Sequence, residues 1–162
     1  MALAPGLSEQ QMLCLLAGGR SNAQAAMVEL RVLEVRRSTE YVGVLRTSMK
    51  ERPQALLQLS SPLIRQASPL VAEFTLRNRL PAISMFRLFA EAGGLMAYGP
   101  DLPAFFSRTA SYVDKILKGT PPGDLPIEQP ATFELLINLK TARALGLAIP
   151  PVLLARADQV IE

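Results

Sequence analysis

Short runs of β-forming residues alternate with helical segments along most of this 162-residue chain. The candidate strands cover residues 30–35, 55–59, 80–83, 94–98 and 133–137. Because strands and helices that alternate about every 20–25 residues form βαβ units, the pattern predicts an α/β fold with a mainly parallel sheet. Right-handed crossovers place helices on both faces of such a sheet.

The clearest helix covers residues 102–118, where apolar side chains recur at intervals of three and four residues and Gly119 follows. A second helix is expected over 68–79, with Ser68 as its N-cap and Pro69 at its first helical position. A third begins after the cap Asn138 and ends at Gly146. The side chains expected in the core are Val32, Leu57, Leu59, Ile83, Met96 and Leu135.

The composition fits one folded domain and argues against several classes of protein. Hydrophobic residues make up 49% of the chain, which is enough for one sizeable core. The net charge is +3, but the basic residues are scattered, so nucleic acid is not expected as a partner. No apolar run approaches the ~18–20 residues that span a bilayer.

Catalysis and metal binding are not expected, because the chain has no His and one Cys. Ser-His-Asp and Cys-His machinery, His-ligated metals and an intramolecular disulfide are thereby excluded. Cys14 lies in a short apolar run and is interpreted as a small hydrophobic residue. Gly93 and Gly94 follow a helix and precede a strand, which indicates a helix C-cap rather than a phosphate loop. We predict no enzyme, no catalytic residue and no cofactor.

Hydroxyl groups, backbone amides and aromatic rings follow three neighbouring predicted strands. In open parallel sheets, ligands bind beyond the carboxyl ends of the strands. Such groups suit a small polar or aromatic solute that is held by hydrogen bonds and stacking, although ordinary turns would use the same residue types. The candidate ligand-binding residues are Ser60, Ser61, Ser84, Met85, Phe86, Tyr98 and Gly99.

Several longer motifs resemble those of a known family. They are EAGGLMAYGP (91–100), YVDKILKG (112–119), DLP with EQP (124–130) and FELLINLKTARALGLAIPP (133–151). Through them the chain resembles the C-terminal half of the solute-binding proteins of ABC importers, in the periplasmic-binding-protein-like group of tryptophan- and tyrosine-type proteins. The resemblance is strongest from residue 80 onward and extends back to about residue 21.

The resemblance implies a Rossmann-like lobe of a type I periplasmic binding protein, in which two lobes close around a solute. It divides the chain into an N-terminal segment of uncertain order (1–20), a second-lobe α/β core (21–100), a helix that belongs to the first lobe (101–120), and the return strand with C-terminal helices (121–162). The first lobe is expected to be largely missing. The family often has an acidic residue at the position of Ser61, and Tyr followed by Glu or Gly at Ser84-Met85. The carboxylate that would most readily bind a ligand amino group is therefore absent from this chain.

The function implied is that of a solute-binding component of an ABC importer, or its C-terminal lobe. It would bind an amino-acid-like solute without chemistry and deliver it to permease subunits. The alternative is a truncated remnant or a solitary α/β interaction domain without solute binding. The family is periplasmic or extracytoplasmic, but no export signal is recognised near Met1, which favours the cytoplasm for the chain as it stands.

The apolar face of the 102–118 helix is expected to pack against another part of the protein or another molecule. The family packs the 102–118 helix against the first lobe, so its apolar stripe would otherwise face water. We expect partial cover from residues 12–16, together with self-association through this helix.

Overall fold

The strands lie side by side in one sheet in the order β1-β2-β3-β4-β5. The computed structural model describes residues 29, 31–59, 62–130 and 132–162. The elements, in chain order, are α1 (Tyr41–Ser48), β1 (Leu56–Gln58), α2 (Pro62–Arg77), β2 (Ala82–Ser84), α3 (Arg87–Glu91), β3 (Met96–Pro100), α4 (Leu102–Leu117), β4 (Phe133–Asn138), α5 (Leu139–Leu145), α6 (Pro151–Ala155) and β5 (Gln159–Ile161). Short 3-10 turns cover Ser38–Glu40, Met49–Glu51 and Pro122–Asp124.

The sheet is parallel except at one pair of strands. β1, β2 and β3 run parallel, with Leu57 beside Ile83 and Ile83 beside Met96. β4 is antiparallel to β3, with Tyr98 opposite Leu135, and β5 is parallel to β4. The predicted α/β fold with a mainly parallel sheet is confirmed, while β5 was not predicted. The antiparallel pair brings the start of β4 to the edge at which β3 ends.

Helices cover both faces of the sheet, as the crossover rule predicts. On one face, the β-strand residues Ile83, Met96 and Ile137 pack with Ala142 of α5 and Leu153 of α6. The other face is covered by α1, α2 and α3. Its buried side chains are Tyr41, Leu45, Val71, Ala72, Ala82 and Phe89, with Ala90, Ala97 and Leu136 in an adjoining cluster.

Two turns that the sequence predicts are formed as expected. Gly93 follows α3 with φ +100°, a conformation that glycine adopts without strain, so the glycine pair is a helix C-cap. Asn138 caps α5, since its Oδ1 accepts a hydrogen bond from the Thr141 N–H at 3.0 Å. α5 then ends at Gly146, whose φ is +72°.

The predicted strand over residues 30–35 is wrong for residues 31–35, and residue 30 lies outside the described residues. Val32 is 54% exposed rather than buried. The alternating charges of this segment serve surface ion pairs instead, because Arg31 contacts Glu29 and Glu51 at 2.9 Å. An extended segment with one partly buried side chain, Val35, therefore has the same alternating pattern as a strand.

Burial and helix limits also differ from expectation near β1. Leu59 is 54% exposed because it follows the last residue of β1, where the chain leaves the sheet, and Leu57 is only partly buried. α2 begins at Pro62 rather than Ser68. Pro62 occupies the first helical position, where proline's missing N–H leaves no hydrogen bond unmade. Pro69 lies inside the helix, and burial of Ser68 and Val71 on either side holds the two halves on the core.

Ile83, Met96 and Leu135 are buried, as predicted. The helix predicted over 102–118 is also confirmed as α4, with Asp101 as its N-cap. The segment 12–16, expected to cover it, lies outside the described residues.

Candidate functional site

The carboxyl ends of the three parallel strands meet at one edge of the sheet, here called the C-edge. The register aligns Gln58 with Ser84, and Ser84 with Ala97. The residues that follow these positions are Leu59, Met85 and Tyr98. The structure thus brings the predicted residues from β2 and β3 to one edge, whereas Ser60 and Ser61 lie outside the described residues.

Ser84 and Phe86 shape the turn between β2 and α3. The side chain of Ser84 is fully buried, and its Oγ accepts a hydrogen bond from the Phe86 N–H at 3.1 Å. Phe86 is itself buried. In this conformation the hydroxyl of Ser84 holds its own turn, which fixes the backbone of Met85 at the C-edge.

Gly99 lies against the backbone of Met85. A Cβ atom at Gly99 would lie 2.0 Å from the Met85 carbonyl oxygen, far inside van der Waals contact. A glycine is therefore required where β3 passes the end of β2. The contact leaves the backbones of two candidate residues side by side, with the half-buried side chain of Met85 next to them.

An aromatic pair lies next to this contact. The rings of Tyr98 and Phe133 are stacked, with centroids 5.8 Å apart and an angle of 24° between their planes. Tyr98 is partly buried, whereas Phe133 is 48% exposed. Sequence reasoning missed Phe133 because it did not foresee that β4 runs antiparallel to β3, which places Phe133 opposite Pro100 at the C-edge.

A charged cluster ties α3 to β4 and β5. Arg87 donates hydrogen bonds through Nε to Glu91 at 2.9 Å, through Nη1 to Glu134 at 3.1 Å and through Nη2 to Gln159 at 3.1 Å. The pKa of Arg87 is raised, mainly because of its hydrogen bond to Glu91. Sequence reasoning also missed this cluster, because its partners lie 47 and 72 residues away along the chain.

Two connecting segments leave the C-edge together and form a projection, here called the α4 arm (residues 101–130). At its base, the Asp101 N–H donates to the Thr132 carbonyl at 3.1 Å, and the Asp101 carboxylate accepts from the Ala104 N–H at 2.9 Å. Farther out, Arg108 contacts Glu128 at 2.6 Å and the Tyr112 hydroxyl donates to the Pro126 carbonyl at 2.8 Å. The return segment is thereby fastened along one side of α4.

A cavity of about 30 Å³ lies at the base of the arm. Its lining includes Asp101, Phe105, Arg108, Glu128 and Thr132. This volume is on the scale of one or a few water molecules, so it cannot enclose an amino acid.

The part of the chain that the structure describes has neither a metal-binding cluster nor a membrane-spanning helix. No cluster of three or more His, Cys, Asp or Glu side chains could hold a metal ion there. Among the same residues, no helix has both the length and the apolar character that a membrane span requires.

A match to a family model covers almost the whole chain and identifies its family. The sequence model for the ABC transporter substrate binding protein family matches residues 16–161. The chain belongs to this family. Its members bind substrates for transporters. No curated protein matches the chain.

Solved structures show the same fold. A conserved domain protein from Vibrio cholerae has a TM-score of 0.83 at 23% identity, over 92% of this chain and 50% of its own. An ABC domain in complex with L-Trp from Streptococcus pneumonia has a TM-score of 0.82 at 25% identity, over 95% and 53%. A ligand-free, open substrate binding protein with adhesive properties from Clostridium difficile has a TM-score of 0.60 at 20% identity, over 95% and 51%. The chain spans about half the length of these structures.

Proposed function

We propose that the chain acts as the solute-binding component of an ABC importer, or as its C-terminal lobe, and binds an amino-acid-like solute without chemistry. The observation that carries this proposal is the family match over residues 16–161. The juxtaposition of Met85, Tyr98 and Gly99 at the C-edge supports a solute site at this edge. The solute would be passed to permease subunits outside the cytoplasm.

The proposed site uses Tyr98 and Met85 for contact and the buried groups for support. The ring of Tyr98, backed by Phe133, offers a planar apolar surface on which a side chain can stack. Ser84 and Phe86 hold the Met85 backbone in place, and Gly99 keeps the neighbouring backbone close. Ser60 and Ser61, which follow β1 in sequence, would add hydroxyl groups for a solute carboxylate or amine.

The division into lobes is part of the same proposal. Residues 21–100 and 121–162 would form the second lobe, and the helix within 101–120 would belong to the first. One lobe encloses about half of a ligand, so the 162-residue chain should bind weakly. Each 1.4 kcal/mol of lost contact energy weakens binding about tenfold, which moves a micromolar site toward the millimolar range.

Calorimetry with aromatic and branched amino acids tests the proposal. We expect dissociation constants of roughly 0.1–10 mM for at least one of them, given the affinity scale above. Tyr98→Ala should abolish the heat of binding, whereas Tyr112→Ala, which removes a tyrosine from the α4 arm, should leave it unchanged. Equal binding by both variants would contradict the site, and sub-micromolar binding would contradict the one-lobe argument.

A further inference from the structure

The edge of the sheet opposite the C-edge, here called the N-edge, carries a group of exposed cations. α1 and the 3-10 turn after it lead into β1 at this edge, and α2 leads into β2. The Leu56 N–H donates to the Pro81 carbonyl at 2.8 Å, so the two segments enter the sheet side by side. The exposed cations that these two helix ends bring to the N-edge are Arg46, Lys50, Arg52, Arg77 and Arg79.

Most of these cations have no carboxylate partner among the residues that the structure describes. Arg77 is the exception, since it is paired with Glu73 at 2.6 Å. The nearby carboxylate of Glu51 is paired with Arg31 at 2.9 Å. Outside the described residues the chain holds one acid, Glu9, which is too few to neutralise the group. The four cations without a carboxylate, here called the N-edge cations, are Arg46, Lys50, Arg52 and Arg79.

Two of the N-edge cations have a backbone conformation that arginine rarely adopts. Arg52 and Arg79 are the non-glycine residues with positive φ in the described part of the chain, both at 51°. The backbone N–H of each donates to the carbonyl three residues earlier at 3.1 Å. Glycine and asparagine adopt this conformation at the least cost and are the usual residues where a helix ends in this way. Local folding therefore favours other residues at both positions, and a role for the two charges explains why arginine is present.

We propose that the N-edge cations bind the phosphate groups of an anionic phospholipid bilayer. The four side chains are exposed and lie on two separate helix ends, which suits a flat array of charges better than one small anion. A protein partner would need an apolar contact area as well as charges. Of the large apolar side chains that are exposed in the described structure, only Leu76 belongs to these helix ends.

The number of N-edge cations sets the expected strength of binding. Each Lys or Arg near an anionic bilayer strengthens binding about fivefold, so four of them give roughly a 500-fold preference over a neutral bilayer. Lys140 and Glu162 lie farther along the N-edge, after β4 and β5, and their opposite charges add little. With the N-edge on the bilayer, the C-edge faces away from it and stays open to a solute.

Co-sedimentation of the 162-residue chain with vesicles tests the proposal. In dilute buffer we expect binding to vesicles of equal parts phosphatidylglycerol and phosphatidylcholine, and none to phosphatidylcholine alone. Molar salt, which shortens the Debye length to about 3 Å, should release the protein. Arg52→Asn/Arg79→Asn should bind about 25-fold more weakly, because two cations are lost. The matched control Lys115→Gln/Lys118→Gln removes two charges from the α4 arm and should stay within about threefold of the wild type.

Thermal unfolding separates the loss of charge from a loss of structure. Because asparagine fits positive φ better than arginine, Arg52→Asn/Arg79→Asn should unfold at the wild-type temperature or above it while it loses vesicle binding. Arg52→Lys/Arg79→Lys keeps both charges and should bind within about threefold of the wild type.

Several results would overturn the proposal. They are the absence of binding to anionic vesicles, equal binding to neutral vesicles, and wild-type binding by the asparagine variant. Binding that inorganic phosphate abolishes at matched ionic strength would indicate a small-anion site instead. Retention on polyglutamate that depends on Arg52 and Arg79, without binding to vesicles, would indicate an acidic protein as the partner.

Discussion

Asn138 connects three elements through one buried side chain, and its removal should be costly. Its Oδ1 accepts from the Thr141 N–H at 3.0 Å and so caps α5, while its Nδ2 donates to the Ala90 carbonyl of α3 at 3.0 Å. Both Asn138 and Ala90 are buried, so water cannot replace either bond. The Asn138→Ala variant therefore loses a helix cap and leaves a buried carbonyl without its donor.

The magnitude follows from these two losses. Removing an N-cap acceptor costs about 1 kcal/mol. Leaving a buried acceptor unsatisfied costs about 1–3 kcal/mol. We expect Asn138→Ala to lower the free energy of unfolding by about 2–4 kcal/mol, against a typical total of about 5–15 kcal/mol. Asn138→Asp keeps the cap but places a carboxylate oxygen against the Ala90 carbonyl, so it should not restore stability.

Urea unfolding followed by circular dichroism measures the effect, with Asn78→Ala as the matched control. Asn78 makes a similar bond, from Nδ2 to the Phe74 carbonyl at 2.8 Å, but it is exposed. Water can replace that bond, so the control should cost less than about 1 kcal/mol. If the two alanine variants lose equal stability, burial of the Asn138 bonds is not what makes them important.

Three further substitutions have defined outcomes. The Tyr41 hydroxyl is buried without a hydrogen-bond partner, so Tyr41→Phe should leave stability unchanged or raise it by up to about 1 kcal/mol in thermal unfolding. Burial raises the pKa of Tyr41 in the folded protein, so above about pH 10 the tyrosine ionises first in the unfolded chain. The free energy of unfolding of the wild type therefore falls there, and Tyr41→Phe should lack the part of this loss that Tyr41 causes. Gly99→Ala should displace the Met85 carbonyl, costing about 1–3 kcal/mol and weakening solute binding, whereas Gly123→Ala, where the new Cβ meets open space, should do neither. Arg87→Met should cost less than about 1 kcal/mol in urea unfolding, because its ion pairs are exposed to water; a loss above 2 kcal/mol would contradict that reasoning.

Periodic patterns were sufficient to predict the main elements of the fold. The apolar runs of β1 to β4 identify strands because burial in the sheet imposes the strand period, and the three- and four-residue spacing of apolar side chains identifies α4. The pattern failed where the same period has another origin, as in residues 31–35, whose charges form surface ion pairs. It also failed at α2, where two prolines, Pro62 and Pro69, could each begin a helix and only packing decides between them.

The candidate site could be predicted in part, because the ends of parallel strands meet at one edge whatever the side chains are. Tyr98 and Gly99 were assigned to that edge from their positions alone. Phe133 and the Arg87 cluster could not be, because each depends on how β4 pairs with the sheet. Whether a hydroxyl is free is also a property of local geometry, and the Ser84 Oγ accepts from its own turn.

We have proposed that the C-edge binds an amino-acid-like solute. A titration of the ¹⁵N-labelled chain with L-tryptophan, followed by NMR, tests it most directly, because it locates even millimolar binding. We expect saturable shifts at the amides of Met85, Tyr98 and Gly99, with little change at Asn78, which directly follows the last residue of α2. No shift at millimolar solute, or shifts confined to the α4 arm, would contradict it.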